Sequence, residues 1–222
     1  GKTASAIVWA ADKRPVLVVV PASLVLNWAD KELRTNWRRN DTVLVLDGQA
    51  FPKTLPDWTV MSYGQLPLYL GEIRRAGFET VILDEAHSIR NWDSDRTQNV
   101  LDIVSPEEAR PDDRRPEYRL AITGTPIVNT LLDAFPLLVF MGLRESGDWP
   151  GFKWSVRRRP DANYSIHRLL APVMLRRMKA DVYPDLPPKT HTSLTVAITT
   201  AAEYIEARKH FLQWLQAGQD RT

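Results

Sequence analysis

Five short apolar runs rich in β-branched residues, separated by longer amphipathic stretches, constrain the fold of this chain more than any other feature. The runs predict strands at Val16–Val20, Val43–Leu46, Trp58–Ser62, Thr80–Leu83 and Arg119–Thr123. The stretches between them predict helices at Lys2–Asp12, Leu24–Trp37, Gly64–Ala76, Asp95–Val104 and Leu131–Met141. Alternation of this kind is typical of an α/β fold whose parallel sheet is covered by helices on both faces.

Two carboxylates and an imidazole stand where one of these strands ends. Asp84, Glu85, Ala86 and His87 directly follow the apolar run Val81–Leu83. In open α/β sheets, ligands bind in the crevice at the carboxyl ends of the strands. We therefore interpret the Asp-Glu-Ala-His sequence as a site of chemistry; an acidic turn without a chemical role is the alternative.

The chain opens with Gly1-Lys2-Thr3, ahead of a helix-favouring stretch. This sequence corresponds to the end of a phosphate-binding loop, in which backbone N–H groups cradle phosphates, the Lys reaches the β and γ groups and the Thr holds Mg²⁺. An ordinary helix start with an exposed Lys is the alternative. Asp84 favours the phosphate site, because a triphosphate site needs a metal-binding acid on a later strand.

A third element, Leu120–Pro126, closes an apolar strand on Thr123, Gly124 and Thr125. Together with Gly1-Lys2-Thr3, Val18–Trp28 and Asp84–His87, and with the late Leu175–Val182 block ahead of Leu186-Pro187, it makes the chain recognisable. The set resembles the Swi/Snf-type ATPases of helicase superfamily two. The resemblance covers nearly the whole chain and corresponds to the first of two motor lobes, so it implies a RecA-like parallel sheet with a small helical insertion.

The resemblance implies ATP and Mg²⁺ as cofactors and assigns a role to each motif. Gly1, Lys2 and Thr3 would bind the nucleotide, and Thr3 and Asp84 would hold the metal. Glu85 would activate the attacking water, with Lys2 and Asp84 completing the catalytic set. The residues that would couple the nucleotide site to the DNA-binding face are His87, Thr123, Gly124 and Thr125.

Double-stranded DNA is the partner that the resemblance implies, bound through its backbone. The contact candidates after two strands are Pro21, Ser23, Ser62 and Tyr63, of which Ser23 also suits a helix cap. From Gly151 to Lys179 there are eight Lys or Arg against one acid, and Arg176, Arg177 and Lys179 belong to this segment. Such a cluster suits a polyanion, and a solvated basic loop is the alternative.

After Leu131 the pattern becomes mostly helical, with further helices predicted at Asn163–Leu170, Pro172–Ala180 and Thr199–Gln216 and one strand at Thr190–Ile198. We expect an ATP-binding core over residues 1–130, an insertion with the basic segment over 131–189, and a lead toward a second lobe over 190–222. The resemblance places an arginine finger on that second lobe. Without that arginine, turnover would fall by about 10³–10⁵-fold. We therefore expect residues 1–222 alone to hydrolyse ATP weakly or not at all.

Composition sets the remaining expectations. The 222 residues carry a net charge of +2, no cysteine and no apolar run long enough for a membrane span. We expect an intracellular protein without a membrane partner, in the cytoplasm or nucleoid of a prokaryote or virus-infected cell, or in a nucleus. Two functional alternatives stay open: a strand-separating helicase or restriction-type motor subunit, and a catalytically silent DNA-binding scaffold.

Overall fold

A computed structural model describes residues 1–104, 111–159, 161–177 and 203–211 of the chain, together with residues 190, 192 and 200. These residues fall into two compact units, Gly1–Leu175 and Arg176–Thr222. The first unit contains the sheet and all the labelled elements below. In the second unit, residues 203–211 are helical, within the predicted helix Thr199–Gln216.

The strands of the first unit are all parallel and lie in the order β2-β3-β1-β4-β5. Their bounds are β1 Val16–Val20, β2 Val43–Leu46, β3 Trp58–Ser62, β4 Thr80–Asp84 and β5 Tyr118–Ile122. Each predicted strand is therefore confirmed to within one residue at either end. The reason is physical: runs such as Val16–Val20 are buried on both faces of the sheet, and β-branched side chains pack well there.

Helices cover both faces of the sheet. The α-helices are α1 Lys2–Trp9, α2 Leu66–Ala76, α3 Asp95–Val104, α4 Phe135–Phe140, α5 Trp149–Arg158 and α6 Ala162–Leu170. A further helix, Asn27–Trp37, follows β1, and short 3₁₀ turns lie at Ala22–Leu24, Ala86–Ile89, Leu131–Ala134 and Ser146–Asp148. The fold is the expected RecA-like α/β arrangement, with α4 to α6 as the helical part that follows the sheet.

The two faces have separate cores because side chains of a strand alternate in direction. Val16, Val18 and Val20 pack with residues of α1 and of the helix after β1, whereas Leu17 and Val19 pack with α2, α3 and α4. The second core continues into the aromatic contacts of Trp92, Phe135, Trp149 and Phe152. These contacts fasten α5 to the sheet domain.

Two helical predictions need correction. The predicted helix Leu24–Trp37 is instead a π-helix at Asn27–Trp37, in which residues five apart make contact, as in the 2.7 Å bond from Arg38 N–H to the Leu33 carbonyl. A 3.6-residue period does not indicate such spacing. The predicted helix Pro172–Ala180 is wrong over its described part, because residues 174–177 form neither helix nor strand. The predicted strand Thr190–Ile198 lies outside the described residues except at positions 190 and 192, which are not in a strand.

Across the part of the chain that the structure describes, no helix combines the length and the apolar character needed to cross a membrane.

Candidate active site

The polar residues singled out in the turns after the strands lie along one edge of the sheet. Because all five strands are parallel, their carboxyl ends share that edge. The register pairs Val20 with Ser62 across β1 and β3, and Asp84 with Ile122 across β4 and β5. The turns that follow these strands are therefore neighbours in space, although they lie far apart in the sequence.

Asp84 is the most enclosed acid at this edge, with 6% of its surface exposed. Its Oδ2 accepts a hydrogen bond of 2.7 Å from Trp28 Nε1, and its Oδ1 accepts one of 2.9 Å from the Glu85 N–H. Within the described residues, Asp84 forms no ion pair. A buried carboxylate without an ion pair is costly, so its surroundings suit a bound cation. Oxygen is also the ligand that Mg²⁺ prefers, so this carboxylate fits the implied metal.

Tyr63 contacts the main chain of Asp84. Its hydroxyl donates a 2.8 Å hydrogen bond to the Asp84 carbonyl, and its N–H donates to the Val20 carbonyl at 3.0 Å. Burial, and then the charge of Asp84, raise the pKa of the Tyr63 hydroxyl far above its ordinary value, so this group stays a donor at neutral pH. Neither donor is free to bind a phosphate oxygen, which is a difference from the DNA contact predicted for Tyr63.

Glu85 and His87 lie in the tight turn that follows β4. Glu85 has a φ of +47°, in the left-handed region that costs a non-glycine residue energy and that is often retained at functional sites. This turn places Glu85 Oε2 3.2 Å from His87 Nδ1, and both side chains are a little over one-third exposed. His87 Nδ1 in turn lies 3.5 Å from Thr123 Oγ1, in the turn after β5. The two motifs are therefore in direct contact.

The turn after β5 is closed by its own threonines. Thr123 Oγ1 accepts from the Thr125 N–H at 3.1 Å and lies 3.2 Å from the Thr125 carbonyl. Gly124 lies between the two threonines, and because it has no side chain, the Lys2 side chain can approach it. A Cβ atom at Gly124 would lie 3.6 Å from Lys2 Nζ. The ammonium group of Lys2 thus lies at the end of β5, the strand next to the one that carries Asp84.

Gly1, Lys2 and Thr3 form the beginning of α1, where Gly1 precedes the first helical residue. Gly1 and Lys2 are exposed and Thr3 is partly buried. No side chain caps this helix end. The N–H groups of a first helical turn and the positive end of the helix dipole attract anions, phosphate above all. The first turn of α1 therefore carries an ammonium, a hydroxyl and N–H groups without a capping side chain.

The candidates for DNA contact differ in their surroundings. Pro21 and Ser23 follow β1, Ser62 ends β3, and Ser23 is exposed. The capping role predicted for Ser23 is wrong, because Ser23 lies inside the 3₁₀ turn Ala22–Leu24 and makes no capping bond. Arg176 and Arg177 are exposed and belong to the second unit, whereas Lys179 lies outside the described residues.

Two contributors were missed in the sequence. Trp28 stood in a recognised segment, but no local pattern indicates a bond to a carboxylate 56 positions later. Asp133 is the second: its carboxylate accepts from the N–H groups of Val128, Asn129 and Thr130 at 3.2, 2.7 and 3.3 Å. The spacing Thr130-x-x-Asp133 resembles a capping box, with Asp in place of the usual Glu, and was the signal available for it.

The pKa of Asp133 reflects two opposing effects. Burial alone would raise the pKa, but the N–H groups of Asn129, Thr130 and Val128 and the Thr130 hydroxyl outweigh burial and lower the pKa below its ordinary value. The carboxylate is therefore charged at neutral pH and holds the segment that follows Thr123–Thr125.

Comparison with known proteins gives consistent results. The SNF2-related domain matches residues 8–213. The chain is 30% identical over 201 residues to the ISWI chromatin-remodeling complex ATPase ISW2 of Saccharomyces cerevisiae, covering 83% of this chain and 17% of that protein. It is 28% identical over 220 residues to Helicase swr1 of Schizosaccharomyces pombe, covering 79% of this chain and 15% of that protein. The chain thus spans less than a fifth of the length of these curated relatives.

Among solved structures, the chain is similar to the Sulfolobus solfataricus SWI2/SNF2 ATPase core in complex with dsDNA. The TM-score is 0.63 at 23% sequence identity, and the match covers 83% of this chain and 38% of that one. At this identity the likeness shows a shared fold.

Proposed function

Because the chain belongs to the SNF2-related domain family, we propose that it is the first motor lobe of an ATP-dependent double-stranded DNA translocase. One observation carries the proposal: Lys2 Nζ lies at Gly124, at the end of the strand paired with the one that ends in Asp84. The ammonium that would bind phosphate and the carboxylate that would bind the metal therefore lie at the carboxyl ends of neighbouring strands. Phosphoryl transfer depends on such placement of charge more than on covalent chemistry.

The nucleotide end of the site would be formed by the first turn of α1. Lys2 and the N–H groups of that turn would bind the β and γ phosphates of ATP, and Thr3 and Asp84 would hold Mg²⁺. Bound Mg²⁺ neutralises charge that develops on the phosphate oxygens. The hydrogen bond that Asp84 Oδ1 accepts from the Glu85 N–H restrains the carboxylate from its own main chain.

Glu85 would orient and activate the attacking water. Its carboxylate is one-third exposed, so water reaches it, and its contact with His87 Nδ1 fixes its direction. His87 also contacts Thr123, so a displacement of the turn after β5 reaches Glu85 through a single imidazole. We assign the coupling between ATP hydrolysis and DNA movement to this contact and to Gly124 and Thr125 beside it.

Duplex DNA would lie along the same edge, at Pro21, Ser23 and Ser62. Hydroxyl and backbone groups at strand ends suit phosphate contacts, which position a protein on DNA without reading its sequence. In the second unit, the exposed Arg176 and Arg177, with Lys179, are separate candidates for contact with DNA phosphates. That a solved structure of the same fold is a complex with dsDNA supports this assignment. The family match favours a translocase over a restriction-type subunit. A second RecA-like lobe in the full-length protein would complete the motor.

The test uses the full-length protein, whose ATP hydrolysis is measured with and without linear duplex DNA. We expect stimulation by DNA, and a Glu85→Gln variant that still binds ATP but hydrolyses it about 10²–10⁴-fold more slowly. Glu72→Gln, an exposed acid on α2, is the matched control and should keep the original rate. A rate that ignores duplex DNA, or one that Glu85→Gln leaves unchanged, contradicts the proposal.

A further inference from the structure

Trp28 makes a contact that the proposed mechanism does not use. Its indole is 1% exposed, and its only polar atom, Nε1, donates the 2.7 Å hydrogen bond to Asp84 Oδ2. The bond crosses from the π-helix behind β1 to the end of β4. A neutral N–H donor fixes the orientation of a carboxylate without neutralising it, so the negative charge stays available to a cation.

Tyr63 makes an equivalent contact with the main chain of the same residue. The Tyr63 side chain is 5% exposed, and its hydroxyl donates 2.8 Å to the Asp84 carbonyl. Trp28 thus restrains the side chain of Asp84 and Tyr63 restrains its backbone. With both in place, the carboxylate has little freedom to turn away from a bound ion.

Both aromatic residues belong to the segments that follow β1 and β3, the two segments to which we assign DNA contact. Trp28 lies in the helix directly after the 3₁₀ turn Ala22–Leu24, and Tyr63 directly follows Ser62. The Tyr63 N–H bond to the Val20 carbonyl also joins the two segments. A displacement of either segment therefore changes a hydrogen bond to Asp84.

From these contacts we propose that Trp28 and Tyr63 are positioning residues that orient Asp84 for the metal of the ATP complex and connect it to the strand-end segments after β1 and β3. The inference rests on the proposed function, because it takes Asp84 as the metal ligand. It adds a second connection to the nucleotide site, on the side of β4 opposite to the contact between His87 and Thr123.

The experiment compares Trp28→Phe with the original full-length protein. Phenylalanine keeps an aromatic ring and removes the N–H. The affinity for a fluorescent, non-hydrolysable ATP analogue is measured in EDTA and across a titration with Mn²⁺, used as the probe metal. Loss of an outer hydrogen bond to a metal ligand weakens metal binding by about 10–100-fold, so we expect that loss in the Mn²⁺ titration and an unchanged affinity in EDTA.

The chain offers a matched control for this variant. Trp58 is fully buried and is the first residue of β3, so it lies at the opposite edge of the sheet from Asp84. Its Nε1 donates a 2.8 Å bond to Asp41 Oδ2. Trp58→Phe therefore removes the same kind of bond away from the site. We expect its Mn²⁺ titration to match that of the original protein.

Tyr63→Phe decides the question independently if Trp28→Phe does not fold. Its control is Tyr69→Phe, since Tyr69 is equally buried and donates a 2.7 Å bond to the carbonyl of Gln49, in the loop after β2, instead of to Asp84. We expect weaker Mn²⁺ binding, by about 10-fold, in Tyr63→Phe only.

The outcomes separate the inference from the function on which it rests. If the original protein shows no Mn²⁺-dependent binding of the analogue, the proposed metal–nucleotide site fails and the inference fails with it. If the original protein shows that dependence and each variant behaves like its control, the positioning role is overturned while the proposed function stands.

Discussion

Asp133 holds the segment that follows Thr123–Thr125, and we predict that Asp133→Asn destabilises the protein in a pH-dependent way. One carboxylate oxygen accepts from the N–H groups of Val128, Asn129 and Thr130, and the other lies 3.2 Å from the Thr130 hydroxyl. Asparagine keeps the shape and one acceptor oxygen but removes the charge. The substitution therefore isolates what the negative charge contributes.

The size of the effect follows from the individual bonds. Hydrogen bonds to a charged group contribute about 1.5–3 kcal/mol, against about 0.5–1.5 kcal/mol for neutral ones. Of the three N–H bonds, only the one from Asn129, at 2.7 Å, is short, and those from Val128 and Thr130 are 3.2 and 3.3 Å. Because these donor residues are exposed, water replaces part of what is lost. We therefore expect a loss of about 1–2 kcal/mol in the free energy of unfolding.

The pH dependence has a definite sign. Although burial opposes it, the N–H donors lower the pKa of Asp133 from the ordinary value of 3.8 in the folded protein. A lowered folded pKa contributes stability that is fully present above the unfolded pKa and is lost as the pH falls through the folded pKa. The difference between the original protein and Asp133→Asn should accordingly be constant at neutral pH and shrink below about pH 4.

Chemical unfolding followed by tryptophan fluorescence, at pH 7 and at a series of acidic pH values, measures both quantities. The matched control is Asp148→Asn, since Asp148 accepts from the Glu145 N–H at 3.3 Å in a similar turn but its side chain is 48% exposed. It should change stability by less than about 0.5 kcal/mol. Equal losses in the two variants, or a loss in Asp133→Asn that persists unchanged in acid, would refute the reasoning.

Two further predictions concern the turns at the sheet edge. Glu85→Gly should raise the free energy of unfolding by about 1 kcal/mol, because glycine adopts a φ of +47° without strain, and should abolish ATP hydrolysis, because the carboxylate is removed. Unfolding and ATPase measurements on the same variant test this, and an unchanged or lower stability would contradict it. Gly124→Val adds methyl groups beyond a Cβ position that already lies 3.6 Å from Lys2 Nζ, so it should displace the ammonium and raise the KM for ATP by about 10-fold. Gly151→Val, with open space around its Cβ position, should leave the KM unchanged. Equal KM values for the two variants in steady-state kinetics would count against the placement of Lys2.

Much of the fold was predictable because the signals are local. Each strand is a short apolar run, and β4 and β1 are buried on both faces as such runs predict. The π-helix at Asn27–Trp37 was not predictable from periodicity, since its contacts join residues five apart. Helix ends also shifted: α1 ends at Trp9 instead of Asp12, and α2 begins at Leu66 instead of Gly64. End positions depend on turns and caps, to which periodicity is insensitive.

For the candidate site, the sequence identified most members but not their contacts. Asp84, Glu85 and His87 were recognised from their place after a strand, and Lys2 from its motif. Their neighbours were less accessible: Trp28 looks like an ordinary core aromatic, and Tyr63 was singled out only as a DNA contact, whereas both are buried. Only their hydrogen bonds to Asp84 distinguish them from the rest of the core.

The sequence by itself determined the strands, the order of the motifs and the family, because each is written in residues that are adjacent or regularly spaced. The tertiary structure decided which side chains meet: Lys2 with Gly124, His87 with Thr123, and Trp28 with Asp84. These pairs are separated by 36 residues or more, and they meet only because parallel strands in the order β2-β3-β1-β4-β5 end at a common edge. Strand order is a property of the packed sheet, where burial of both faces selects one arrangement, and no local pattern contains it.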